Sequence, residues 1–475
     1  MRSRRDQVQA HAYMVGRLTS ALVHGEPDAP ESPLRRTGLG SFGGLLVGTL
    51  LVAALLAWGL ISPVSKAAVL TAGELVMAKE TGARYVYARH ELLPVLNWSS
   101  ALLLTGGKQA MTVLPAVALA GIPHGQPVGI VGAPDTLPAA DAVNKGAWLV
   151  CALSAGQAEV SVTIGIPTPV TPPPPNGALL VGAQGDEFLI WHGQRLKLDA
   201  SWIASALGLG RASVTEVSPA WLNAVPAGPD LRPISVPGRG GSGPTIGAVP
   251  TTIGQVLVTS NVGSPSEFYL AEAGALVPIT AAQAAIVLGD PSSAGSSSGA
   301  TGAPVSVSPA AMAHAPIAGQ NLADTVDAPS APPRDDSAGP GVPCMDYRSA
   351  SYHGASYHGA SYHGAGGVPA QFVFAVPPPG SPRALYSPGV SGSSQTANLI
   401  DVAPGGGAFV RSQAAPRVGG ESLFLVTDAG VKFAVPSASA AAALGYRAGR
   451  AVAMPASLLG LLPTGPALDL APMRG

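Results

Sequence analysis

Leu423-Phe424-Leu425-Val426, then Asp428-Ala429-Gly430, then Val431-Lys432-Phe433-Ala434-Val435-Pro436 is the stretch that decides the fold. Two short, mostly apolar runs flank an Asp-Ala-Gly turn, which predicts a hairpin. An Ala-rich run follows and stops at Ala443-Leu444-Gly445-Tyr446, as a short helix would. The stretch closes with Val452-Ala453-Met454-Pro455 and Leu458-Leu459-Gly460-Leu461-Leu462-Pro463-Thr464-Gly465-Pro466. The unit reads strand, turn, strand, helix, turn-rich ending, and its class is α+β.

The same unit recurs upstream. Glu187-Phe188-Leu189-Ile190-Trp191-His192-Gly193 and Arg195-Leu196-Lys197-Leu198 form a second hairpin. A helix-like Trp202 to Ala206 follows, and the ending at Leu222-Asn223-Ala224-Val225-Pro226-Ala227-Gly228-Pro229-Asp230-Leu231 aligns with the C-terminal one across L, P, G, P and L. A half copy runs from Phe268-Tyr269-Leu270 to Leu288-Gly289, and another from Arg84-Tyr85-Val86-Tyr87 to Leu104. None of these units can bury a core alone, so they must pack on each other or on a common element.

The chain has 475 residues, a net charge of -1 and only 11% charged residues, with 60 Gly and 47 Pro. Near-zero charge argues against nucleic-acid binding, and the 47% apolar share argues against a wholly disordered chain. Part of this bias also fits the codon usage of a GC-rich genome.

Gly43 to Ile61 (GGLLVGTLLVAALLAWGLI) is almost wholly apolar, and no charge lies between Arg36 and Lys66. Its length suits a membrane-spanning helix of roughly 20 residues and exceeds the apolar core of a signal peptide. Arg2, Arg4, Arg5, Arg17, Arg35 and Arg36 precede it and only Lys66 closely follows, so the N-terminus is predicted cytoplasmic and the rest exterior. Gly40, Gly44 and Gly48 stand four apart, a spacing that lets membrane helices approach closely; the plain alternative is that Gly is frequent throughout. Val8, Ala12, Val15, Leu18 and Leu22 would share one face of a helix from Arg5 to His24. That stripe implies a protein partner or the lipid surface.

The predicted organisation is a cytoplasmic segment (1–40), a span (41–63), repeat 1 (64–140), a central β-rich segment (141–166) and a Pro-rich linker (167–176). Repeat 2 (177–236), a β-rich segment with repeat 3 (237–289), a disordered linker (290–343), a central domain with an insertion (344–420) and repeat 4 (421–475) follow. The linker at Pro167 to Pro175 is expected to be polyproline and semi-rigid. The insertion carries Tyr352-His353, Tyr357-His358 and Tyr362-His363 at five-residue spacing; these could bind a metal, but slippage of a short codon block explains them more simply. The two cysteines, Cys151 and Cys344, both follow the span. An oxidising exterior makes a disulfide the natural reading, with two unrelated thiols as the alternative.

Catalytic signals are thin. Gly106-Gly107-Lys108-Gln109 lacks the leading Gly and the hydroxyl of a phosphate-binding loop and reads as a turn. Gly295-Ser296-Ser297-Ser298-Gly299 matches a serine elbow in form but lies in the linker, without the strand and helix that motif needs. Asn97-Trp98-Ser99 is a glycosylation sequon that chance explains. No His-Glu-x-x-His pattern occurs, and no catalytic residue, metal site or cofactor is assigned.

The N-terminus carries a resemblance. Arg4-Arg5-Asp6-Gln7-Val8-Gln9-Ala10-His11, Gly16-Arg17-Leu18-Thr19-Ser20-Ala21-Leu22-Val23 and Gly25-Glu26-Pro27-Asp28-Ala29-Pro30-Glu31-Ser32-Pro33-Leu34-Arg35-Arg36 closely resemble the start of the EccB family. This family is the B component of the type VII (ESX) secretion machinery of actinobacteria. The match continues through Lys79 to Tyr87, Pro94 to Asn97, Pro127 to Ile130, Gly132 to Asp135 and Leu462 to Pro466, leaving out residues 290–343 and the Tyr-His repeat. It implies a single-pass structural subunit of the inner-membrane secretion complex, homo-oligomeric within it. It implies the partners EccC, EccD, EccE and a mycosin-type protease. It also implies an elongated exterior with a central β-rich domain, four repeats and paired cysteines. Some members are described as ATPases, and no motif here supports that. An ATP-hydrolysing component and a cell-wall-binding module are the rival readings.

Overall fold

The computed structural model describes residues 4–25, 34–61, 70–107, 110–153, 159–261, 263–292, 302–319, 330–337, 339–348, 362–363, 369–378, 381–382, 389–413 and 422–470. The fold is α+β. The chain falls into two parts, residues 1–69 with 115–121, and residues 70–114 with 122–475. In the first part, a helix at Arg4–His24 ends on Gly25, whose φ of 70° suits a helix C-terminus. A second helix, Leu34–Ile61, contains the apolar stretch.

The second part contains four sheets of one design. In repeat 1 the strands are Glu74–Ala78, Arg84–Ala88, Glu91–Pro94 and Met111–Leu114. In repeat 2 they are Gly177–Ala183, Asp186–Trp191, Gln194–Lys197 and Thr215–Glu216, and in repeat 3 Val256–Thr259, Glu267–Ala271, Leu276–Ile279 and Val305–Ser306. In repeat 4 they are Ala408–Gln413, Leu423–Val426, Lys432–Val435 and Val452–Pro455. Each sheet is ordered third-second-first-fourth, and the fourth strand runs parallel to the first. The helix between the third and fourth strands supplies the crossover that a parallel pair requires.

An open third strand would be an exposed edge, prone to pairing with other chains. A Pro-x-Gly or Pro-x-Ala ending closes it in all four repeats. Leu92 N–H donates to Pro123 O (2.8 Å), and Leu92 O accepts from Gly125 N–H (3.0 Å). The same pair of bonds joins Arg195 to Pro226 and Gly228, Leu276 to Pro316 and Ala318, and Lys432 to Pro463 and Gly465. A Cβ on Gly465 would lie 2.3 Å from the Phe433 ring, so the ending of repeat 4 needs glycine there.

The repeats associate in two pairs through their crossover helices. Trp98–Leu104 of repeat 1 meets Ala438–Ala443 of repeat 4, burying Leu102, Leu103, Ala440, Ala441 and Leu444. Trp202–Ala206 of repeat 2 meets Ala281–Gly289 of repeat 3, burying Ile203, Ala204, Ala282 and Ile286. Gly289 permits that approach: a Cβ there would lie 2.4 Å from Ala206 Cβ.

An eight-stranded sheet stands between these pairs in the chain. Its main strands, Trp148–Leu153, Glu159–Ile164, Val342–Tyr347, Pro369–Ala375 and Leu399–Val402, come from three distant segments. One face presents Trp148, Val150, Met345, Tyr347, Phe372 and Phe374. Onto it dock the second helices of repeats 2 and 4, Pro219–Ala224 and Ala456–Gly460, through Trp221, Leu222, Leu458 and Leu459. Trp221 Nε1 donates to Val150 O (3.0 Å), and Tyr347 Oη donates to Ala224 O.

One position encodes this docking. Counting four residues back from the closing proline, Leu119, Leu222, Met312 and Leu459 are buried in every repeat. Counting five back gives Trp221 and Leu458, both fully buried, but Ala118 and Ala311 in repeats 1 and 3. Only the repeats with a large residue there cover the central sheet. Ala311 of repeat 3 instead approaches the hairpin of Ser242–Ile246 and Val249–Thr252 at Gly247.

The other face of the central sheet holds Leu149, Cys151, Cys344, Val373 and Ala375. Cys151 and Cys344 stand directly opposite on adjacent antiparallel strands, form a disulfide and are fully buried.

Several sequence expectations need correction. The unit read as strand, turn, strand, helix and turn-rich ending lacks the first strand of each sheet and its parallel fourth strand; the fourth strands, at two to four residues, carry no periodicity. The boundary at 420/421 separates Ala408–Gln413 from the Leu423–Val426 strand it pairs with. The segment 290–343, read as disordered, supplies the fourth strand and second helix (Pro309–Met312) of repeat 3 and the Arg334–Asp335 strand beside repeat 2. Within the Pro-rich stretch, Val170–Thr171 pairs with Phe374 and Ala375 as an edge strand, where prolines are tolerated. Tyr352 to His358 lies outside the described residues; Tyr362–His363 forms a short edge strand.

Three outcomes follow from this packing. Trp221→Ala should destabilise the fold by about 3–5 kcal/mol, as for other buried Trp truncations, in a denaturant titration. Replacing both cysteines by alanine should lower stability by about 2–5 kcal/mol while the far-UV spectrum stays that of the parent. The third concerns Lys432, whose ammonium is pushed down to about 8 by burial and donates to Leu459 O and Leu462 O. Between that value and 10.5 the unfolded chain holds a proton the folded one lacks, so stability rises with pH. Wild type should therefore gain on Lys432→Met between pH 8 and 10.5, and a constant difference would contradict this.

Candidate functional site

The features that bear on function are the apolar helix, the amphipathic helix before it and the docked repeats. Thr37–Trp58 has a mean hydropathy of 2.1 and none of it is buried within the chain. A Cβ at Gly40, Gly44 or Gly48 would meet nothing within 4 Å, so these glycines leave one side of the helix open to close approach. Trp58 is exposed near the end of this stretch.

Arg4, Arg5 and Arg17 lie exposed on the first helix, and the Arg17 guanidinium sits 5.9 Å from the Tyr13 ring centre. Arg35 and Arg36 fall in the first turn of the second helix, and their side chains lie outside the described residues. Val8, Val15, Leu18 and Leu22 are all exposed. At helical spacing they form a single apolar stripe with nothing from the described chain over it.

Several titratable groups have their proton affinity displaced by burial. Burial raises the Asp346 carboxyl, against the pull of Arg348, whose Nη2 lies 2.8 Å from Asp346 Oδ2. Burial also raises the Tyr347 and Tyr446 hydroxyls, which donate to Ala224 O and Pro138 O. His192 is lowered by burial, and its ring centre lies 3.7 Å from that of Trp191, the planes tilted by 42°. No two of these are arranged as a nucleophile and a base. Among the described residues, no group of three His, Cys, Asp or Glu is placed to hold a metal ion.

The motifs weighed from the sequence find structural roles. Asn97 caps the helix Trp98–Leu104, accepting from Ser100 N–H (3.0 Å), and is buried, which is a poor place for a glycan. Gly106 and Gly107 end that helix in left-handed conformations, and a Cβ on Gly107 would lie 3.0 Å from Ala443 Cα. The serine-rich Gly295 to Gly299 lies outside the described residues. Cys151 and Cys344 are brought together as a disulfide. Trp221 and Leu458 stand in the unit endings read from the sequence, which gives them no docking role; the signal is the swap of Trp and Leu for Ala at one aligned position.

The family model described as "Type VII secretion system ESX-1, transport TM domain B" matches residues 2–472. The ESX-2 secretion system ATPase EccB2 of Mycobacterium tuberculosis is 29% identical over 98% of this chain and 93% of its own length. The ESX-3 secretion system ATPase EccB3 of Mycolicibacterium smegmatis is 27% identical over 98% of this chain and 89% of its own. A chain in the structure of an intact ESX-5 inner membrane complex superposes with a TM-score of 0.61 at 25% identity, covering 100% of this chain and 97% of that one. The structure of an EccB3 dimer from the ESX-3 core complex, at 24% identity and a TM-score of 0.64, shares the fold over 84% of this chain and 98% of that one. With a family match over nearly its whole length, this chain belongs to the EccB family of type VII secretion systems.

Proposed function

We propose that the protein is a structural subunit of an ESX inner-membrane complex that supports export across the cell envelope. The observation that carries this reading is the full-length likeness to a chain of the ESX-5 inner membrane complex, joined to one apolar helix of spanning length. The body supports it too: its buried surface joins repeats to a central sheet. EccC, EccD, EccE and a mycosin-type protease are the proposed partners. The Arg excess before the span supports a cytoplasmic N-terminus and a body outside the inner membrane. Further copies of the chain are proposed within the complex, as the EccB3 dimer has in its own system.

The names of the relatives favour a second reading, ATP hydrolysis. Purified full-length protein given ATP and magnesium separates the two, since the structural reading expects no turnover above the level of a mock purification.

Deleting residues 1–36 should remove the protein from the large membrane complex on a native gel. The remaining chain should keep its disulfide and its unfolding transition. Normal complexes without that segment would contradict the proposal.

A further inference from the structure

The helix Arg4–His24 is not accounted for by the body or by the span. Its apolar residues recur at Val8, Val15 and Leu22, seven apart, with Leu18 between them. They are heavily exposed, 68% at Val8 and 84% at Leu22. The helix cannot cross a bilayer, since Asp6, Gln7, Gln9, His11 and Arg17 interrupt it.

Two further observations say what covers the stripe. The first is the tether. Only residues 26–33 separate Gly25 from the helix that begins at Leu34. A chain of that length reaches at most about 30 Å. The stripe is therefore held at high effective concentration beside the bilayer, whatever the state of other partners. The second is charge. The start of the helix carries Arg4 and Arg5 against one acid, Asp6, while Arg17 stands by Tyr13 on the opposite face. Arg5 lies near the border of the stripe by helical spacing, where a long cationic side chain reaches headgroups while its stem stays apolar.

We infer that this helix lies in the plane of the membrane, with Val8, Val15, Leu18 and Leu22 in the headgroup–acyl boundary of an anionic leaflet. The opposite face, with Gln9 and Tyr13, stays in water or meets protein. This goes beyond the assembly role and does not depend on it.

The test uses the full-length chain, one copy per lipid nanodisc. Both native cysteines are locked in a buried disulfide, so a single added thiol takes the label. Spin labels at Leu22→Cys and Gln9→Cys are compared for access to a water-soluble nickel reagent. In discs containing phosphatidylglycerol, nickel access at Leu22→Cys should be at least threefold lower than at Gln9→Cys. In pure phosphatidylcholine discs that contrast should shrink. Equal access at the two positions in anionic discs would overturn the proposal. So would protection at Leu22→Cys that ignores lipid charge, or that appears only when discs hold two copies, which would assign the stripe to a second chain.

Discussion

The central sheet is the constraint on which the rest of the body depends. Its main strands come from residues 148–164, 342–375 and 399–402, so it cannot form until distant segments meet. Closing such loops is entropically unfavourable, and burial of Trp148, Val150, Tyr347, Phe372 and Phe374 against Trp221 and Leu458 offsets it. The Cys151–Cys344 bond then joins two strands that already pair, across a sequence separation of 193 residues. It secures a contact the packing has chosen rather than creating one.

The repeats show how one unit can be given different neighbours with few changes. All four keep the same strand order, the same parallel fourth strand and the same closing proline. Closing the edge strand leaves the helices as the surfaces available for association. The crossover helices pair repeats 1 with 4 and 2 with 3, while the second helices of repeats 2 and 4 reach the central sheet. A Trp or Leu in place of Ala at one position accompanies the difference. Such an arrangement suits a part that holds others in place: its energy is invested in contacts among its own modules.

Much of this was legible in the sequence, and the limits are physical. The hairpins at Leu423–Val426 and Asp186–Trp191 stood out because short apolar runs precede Asp-Ala-Gly and His-Gly turns. The apolar helix stood out because some twenty uncharged residues in a row have few other uses. The fourth strands did not stand out, since Thr215–Glu216 and Val305–Ser306 are two residues each and are held by their partners rather than by their own pattern. The ordered pieces of 302–319 and 330–343 were hidden by Ser, Gly, Ala and Pro, a composition that reads as disorder when no partner strand is in view. Lys432 was hidden too, because nothing in the local sequence tells that a lysine on an edge strand will cap the carbonyls of Leu459 and Leu462.

The proposed role joins the two parts of the chain: a membrane helix that brings the protein to an assembly, and a body stiffened by module-to-module packing. The most direct measurement is purification of the tagged full-length protein from its own membranes in mild detergent, with native mass analysis of what comes with it. The structural account predicts a very large complex that contains a multi-span membrane protein and a motor ATPase, with several copies of this chain. A lone monomer or homodimer, reproduced across detergents, would contradict it.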